Sequence, residues 1–179
     1  MPELMSQPSG ASPETEEKAV ETAWRIHGAV GEWTARVDAK AAFALTLESA
    51  AAAGIIALSG NGNIFDDLRG WGPRCLLWSG STLILIGAVF AVLVVVPRLR
   101  APRMQAEASD NFVYFGHLMR REATELAESL RRTDTLLPVL SRQLIVMSKI
   151  AWSKHRHVQM SLAFFALGLM LVVIAAVLA

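Results

Sequence analysis

The stretch RVDAKAAFALTLESAAAAGIIAL, Arg36–Leu58, decides the fold. It is apolar and long enough to cross a bilayer, yet an acid, Glu48, stands in its middle, and Asp38 and Lys40 stand at its entrance. A charged side chain at the centre of a spanning helix costs about 2.5–3.5 kcal/mol on insertion scales, so a span that keeps one turns it away from lipid. The preceding residues give the direction. Ala19, Ala23, Ile26, Val30, Trp33 and Val37 recur at gaps of four and three, and the same gaps continue to Ala41, Ala44 and Glu48. That is the apolar stripe of a helix packing on other helices. One unbroken helix in this register places Glu48 toward the protein interior.

Two further stretches set the class. CLLWSGSTLILIGAVFAVLVVVP, Cys75–Pro97, and VQMSLAFFALGLMLVVIAAVLA, Val158–Ala179, contain no charge. Each supplies the roughly 20 apolar residues that about 30 Å of hydrocarbon requires. With 53% of its residues hydrophobic, the chain is too apolar for an ordinary soluble domain. The expected fold is all-α: a polytopic membrane protein whose three transmembrane helices extend into a cytoplasmic helical bundle. No strand pattern and no internal repeat is evident. The first apolar run begins near Ala39 behind an acidic start, which argues against a signal peptide. The lone Cys75 has no partner for an intramolecular disulfide and reads as a small residue at a helix end.

Charge distribution orients the spans. Residues 97–157 hold eleven of the seventeen Lys and Arg, with Arg98, Arg100, Arg103, Lys149, Lys154 and Arg156 near membrane ends. The connection between the first two spans has Arg69 and Arg74. Basic residues near membrane ends stay on the cytoplasmic side. The expected layout is therefore a disordered, Pro-, Ser- and Glu-rich segment at 1–12, a cytoplasmic helix at 13–38, spans at 39–59, 75–97 and 158–179, an external loop at 60–74, and a cytoplasmic hairpin at 98–157. In this layout the N-terminus lies inside and the C-terminus outside. Trp71, Trp78 and Trp152 fall where interfacial anchors belong.

Within the cytoplasmic part, Ser12-Pro13-Glu14 reads as a helix start: a capping hydroxyl, proline at the first position, acids in the first turn. Pro97 and Pro102 break or bend the chain after the second span. Phe112, Phe115, Met119, Ala123, Leu126 and Leu130 then share one helical face. Thr133 or Asp134 caps the next helix, Pro138 sits in its opening turns, and Leu137, Leu140, Leu144, Met147 and Ala151 form its apolar side. No Gly or Pro separates Val139 from the last span, so that helix is expected to continue across the membrane.

Catalytic patterns are missing. There is no Gly-rich phosphate loop, no nucleophile motif and no Cys/His cluster at metal spacing, so neither an enzyme nor a metal site is expected. His155 and His157, two residues apart on a helix, point to different faces and read as part of a basic collar facing lipid headgroups. Glu48 has two readings. It is an ion-pathway or gating carboxylate, or it is protonated or hydrogen-bonded glue between helices, with Thr46, Ser79, Ser81 or Thr82 as partners. The pairs Arg120-Arg121 and Arg131-Arg132, about three turns apart, suit an anionic ligand or a solvated face interleaved with Glu122, Glu125 and Glu128. Those acids dilute any basic stripe, so nucleic acid is not an expected partner.

Three local stretches, RVDAKA at 36–41, NFVYFGHL at 111–118 and SRQLIVMSKIAWSKH at 141–155, resemble the transmembrane effectors of Pycsar anti-phage systems in order and in placement against the spans. The likeness covers about residues 20–179. It implies a non-enzymatic membrane effector in abortive infection. A partner pyrimidine nucleotide cyclase makes cyclic UMP or cyclic CMP, and the effector then impairs inner-membrane integrity. No cofactor is expected beyond that activating nucleotide. The resemblance puts the ligand candidates at Arg36, Asp38, Lys40, Tyr114, Phe115 and Gly116: aromatics to stack on a pyrimidine, Arg36 or Lys40 to meet its phosphate. The competing account of the same residues is structural, with charges at a membrane boundary and aromatics in a core. Because one small nucleotide supplies little switching energy and three helices line little of a pore, a homo-oligomer is expected, with membrane lipid around it. The alternative is a related effector or assembly subunit that answers to another signal.

Overall fold

A computed structural model of the chain describes residues 12–60, 62–66, 68–96, 122–131 and 136–179. These form four helices and no strand: α1 Pro13–Leu58, α2 Trp71–Val95, α3 Ala123–Arg131 and α4 Leu136–Val177. At 1.5 Å per residue, α1 is about 69 Å long and α4 about 63 Å, each far more than a bilayer core needs. α1, α2 and α4 are each long and apolar enough to cross a membrane. α1 starts at Pro13, and Thr15 and Glu16 donate their backbone N–H groups to the Ser12 carbonyl. The Ser12 hydroxyl meets Thr15 Oγ1 at 2.8 Å. α2 ends at Val95, before Pro97. Pro97, Pro102, Thr133, Asp134 and the face from Phe112 to Met119 lie outside the described residues.

The chain divides into two compact units, Met1–Gly31 with Leu99–Lys149, and Glu32–Arg98 with Ile150–Ala179. In the first, Ala23 and Val30 of α1 and Val139, Leu140 and Gln143 of α4 are buried. Leu140 belongs to the apolar side expected from Leu137 onward, whose other members are half-buried, while Val139 and the polar Gln143 do not. Leu126 of α3 is half-buried, while Leu130, expected on the same covered face, is exposed at the end of this short helix.

The second unit is a three-helix bundle. Asp38 meets Lys154, Ala41 packs in one cluster with Val94 and Val158, and Glu48 meets Ser161. Gly80 meets Gly168, and Ile84 packs with Val172 beside Ala51 and Ile55. Contacts therefore climb in step along α1 and α4 and descend along α2, so α1 and α4 are parallel and α2 is antiparallel to both. Phe65 and Leu68, from the α1–α2 connection, join the Ile84–Val172 cluster at one end. That connection turns at Gly62 (φ 78°) and enters α2 through Gly70 (φ 94°), backbone conformations that side-chain-bearing residues rarely adopt.

All three helices present seams at alternating gaps of four and three, the repeat that keeps one stripe toward its neighbours. On α2 the seam is Gly80, Ile84, Gly87, Ala91 and Val94, all buried. On α4 it is Val158, Ser161, Phe165, Gly168, Val172 and Ala175, of which Phe165 is half-buried and the rest buried. On α1 it is Ala41, Ala44, Glu48, Ala51 and Ile55, and the same phase runs back through Val37, Thr34, Val30, His27 and Ala23. This corrects the expected stripe at two places. Ile26 is 46% and Trp33 60% exposed, and the half-buried positions are His27 and Thr34. A strict seven-residue phase counted back from Glu48 passes through those two polar residues. Reading by hydrophobicity alone chose the apolar neighbours.

Candidate functional site

The central feature of the bundle is a polar node among apolar layers. Glu48 projects from the α1 seam and is 1% exposed. Its Oε1 accepts a hydrogen bond from Ser161 Oγ of α4 at 2.8 Å, and Ser161 is itself fully buried. The third wall is Gly87 of α2. A Cβ there would lie 2.7 Å from Glu48 Oε1 and 3.0 Å from the Ser161 carbonyl oxygen, so any side chain would displace the carboxyl from its place and press on the α4 backbone. Glycine thus leaves the notch that holds the carboxyl. Glu48 Oε2 is buried and has no hydrogen-bond partner. Leaving a buried polar atom unpaired costs about 1–3 kcal/mol, so the node is held at a cost that packing elsewhere in the bundle offsets.

Glu48 faces inward, as its register required, but its partner is not among those expected. Thr46, Ser81 and Thr82 each donate to a carbonyl four residues back on their own helix, those of Ala42, Leu77 and Trp78. Ser79 is exposed and lines a shallow notch of about 310 Å³ with Trp71, Arg74, Cys75 and Trp78. A hydroxyl that satisfies itself on its own helix is lost to its neighbours, and Ser161 is placed where the α4 seam meets Glu48.

Asp38 forms the second polar tie between α1 and α4. Lys154 Nζ donates to both carboxylate oxygens, at 2.6 and 2.8 Å, and both side chains are partly shielded from solvent. Arg36 and Lys40 lie away from this tie. Arg36 is exposed and pairs with Glu32 at 3.3 Å on its own helix, and Lys40 is exposed. The three residues of RVDAKA therefore divide: Asp38 braces the bundle, while the two cations face outward. Tyr114, Phe115 and Gly116 lie outside the described residues, as do Arg120, Arg121 and Arg132. The two histidines take different neighbours: His155 stands 6.4 Å from the Trp152 ring, and His157 stands 5.8 Å from Phe90, which stacks on Phe164. Among the described residues, no three His, Cys, Asp or Glu side chains gather to hold a metal ion.

The pattern of helices, seams and boundary charges can now be compared with known proteins. The model of the PycTM family, described as the Pycsar effector protein domain, matches residues 22–179. The chain belongs to this family. No curated protein and no solved structure matches it. As a Pycsar effector it is a transmembrane component of an anti-phage system, and the matched region includes all three candidate spans. The node is the part of this Pycsar effector that hydropathy alone missed. Ser161 and Gly87 sit in stretches whose only obvious property is lack of charge. The signal that finds them is their phase: both fall on seven-residue seams, at the level where the α1 seam carries an acid.

Proposed function

We propose that this chain is a ligand-gated effector of an anti-phage system that impairs the inner membrane when a partner cyclase makes cyclic UMP or cyclic CMP. Membership of the Pycsar effector family across residues 22–179 carries this reading. The nucleotide acts on the cytoplasmic side, with Arg36 and Lys40 as the cationic contacts, Tyr114 and Phe115 as the candidate stacking residues, and Gly116 as a further candidate contact. Its binding favours a bundle in which α1 and α4 have moved apart, and the membrane then leaks. Two observations support a mechanical link: α1 and α4 are unbroken helices far longer than the bilayer core, and both carry polar ties to each other.

Moving a two-state equilibrium from 1:99 to 99:1 takes about 5.5 kcal/mol of differential binding. A single mononucleotide supplies that with difficulty, which favours several linked sites in a homo-oligomer. The effector itself is non-catalytic in this reading. The test is direct. The chain is expressed in bacteria, shown to be inserted, and exposed to cyclic UMP or cyclic CMP while membrane potential is followed. Depolarisation with one of them is expected. Polarised cells with both nucleotides would remove cyclic pyrimidine gating and leave an effector or assembly subunit that answers to another signal.

A further inference from the structure

Three features of the second unit join helices without an assigned role: the Gly80–Gly168 crossing, the Asp38–Lys154 tie and the Glu48 node. The first is contact between backbones and offers no chemistry. The second is already partly wet, so opening the bundle changes its surroundings little. The third differs in kind. Among the described residues, Glu48 Oε2 is the buried side-chain oxygen with no partner.

Building on the reading of this chain as a gated membrane effector, we infer that Ser161 and Gly87 are positioning residues that make Glu48 a closing latch between α1 and α4. Three properties of the geometry carry this. The Ser161–Glu48 hydrogen bond crosses from α4 to α1 at a level where neither residue is exposed. The missing side chain at Gly87 lets α2 close behind it, within 2.7 Å of Oε1 for any added Cβ. The unpaired Oε2 makes the closed arrangement only weakly favoured, because the carboxyl gains hydration as soon as α1 and α4 part. A carboxyl with both oxygens satisfied would lock the bundle, and an apolar side chain would gain nothing from water. Glu48 holds the resting state through one oxygen and favours the wetted state through the other. The ligand of that second state is water, followed by the cations that a hydrated carboxylate attracts.

The experiment uses the full chain, purified and inserted in vesicles of phosphatidylethanolamine and phosphatidylglycerol, with cation leak measured without any nucleotide. Variants are compared at equal inserted protein and with their melting midpoints recorded. Ser161→Ala removes one oxygen atom from a small side chain and is expected to raise basal leak about three- to tenfold, the range for hydrogen bonds between membrane helices. Glu48→Gln keeps an acceptor for Ser161 and is expected to leak less than Glu48→Ala. Glu48→Ala is expected to leak, and Glu48→Ala with Ser161→Ala to leak no more than Glu48→Ala alone, because both changes remove the same bond. The inference is overturned if Ser161→Ala is tight, if Glu48→Gln leaks as Glu48→Ala does, or if the two alanine effects multiply. With no nucleotide present, these ratios are independent of whether cyclic UMP or cyclic CMP is the activator.

Discussion

Gly80 of α2 and Gly168 of α4 meet so closely that a Cβ on either would lie 2.6 Å from the other's carbonyl oxygen. The contact is reciprocal and backbone on backbone, so neither side can yield by rotating a side chain. Helices associate in lipid through such close packing, since burying apolar surface brings little gain there. Alanine at either position is therefore expected to destabilise the bundle by about 1–3 kcal/mol, the usual cost of overpacking. Gly54 of α1 is the internal control, because a Cβ there meets nothing within 4 Å. Gly54→Ala should leave stability unchanged or raise it by up to about 1 kcal/mol through helix propensity. Unfolding of purified protein in detergent measures all three, and equal midpoints for Gly80→Ala and Gly54→Ala would contradict the crossing.

Glu48→Gln separates the latch from the ion path. The amide retains an acceptor for Ser161 but loses the ionisable group, so expression and resting membrane potential are expected to match the unsubstituted chain. Once activated, the leak should carry fewer cations, by about tenfold if the hydrated carboxylate concentrates them in a narrow path. Depolarisation evoked by cyclic UMP or cyclic CMP, at matched inserted protein, provides the readout. Unaltered evoked depolarisation would return Glu48 to a purely structural role.

Much of the bundle was legible because two of its spans are uncharged and the third carries one acid in phase with an apolar stripe. The register of Glu48 followed from Ala41 and Ala44, which are 0% and 1% exposed. What hydropathy could not give was the partner across the seam. Ser161 competes with Thr46, Ser81 and Thr82 on composition alone, and what separates them is whether the hydroxyl turns back to its own helix. That choice depends on what the neighbouring helix offers, a tertiary matter. Ile26 and Trp33 went astray for a related reason: the seven-residue phase of α1, counted back from Glu48, falls on His27 and Thr34, which are the half-buried positions. Glycine roles were similarly hidden. Gly54 and Gly87 look alike in sequence, yet only at Gly87 would an added side chain force its neighbours to shift.

The outward-facing cations test the nucleotide reading without disturbing the fold. Arg36 has an exposed pairing with Glu32 on its own helix, and such pairs contribute about 0.3–0.5 kcal/mol. Arg36→Ala with Lys40→Ala should thus leave insertion and melting nearly unchanged. If these residues meet the nucleotide phosphate, the double variant loses depolarisation by cyclic UMP or cyclic CMP while it remains in the membrane. A normal response would clear both residues of a binding role.

Asp38 and Lys154 support a different test, because their tie is mutual. Lys154 Nζ reaches both oxygens of Asp38, so each residue holds the other in one position. Partial exposure keeps the contribution modest, about 0.2–1 kcal/mol, and makes it weaken as salt rises. Asp38→Lys alone places two ammonium groups against each other, and Lys154→Asp alone does the same with carboxylates. Each should lower the melting midpoint of the purified chain. The exchanged pair, Asp38→Lys with Lys154→Asp, restores opposite charges at the same positions and should recover most of the loss at low salt, less so at high salt. Recovery ties the effect to the charges themselves. If the exchanged pair melts as low as the sum of the single changes, the two residues act independently, and Asp38 would then be free to serve as the ligand contact that its place in RVDAKA first suggested.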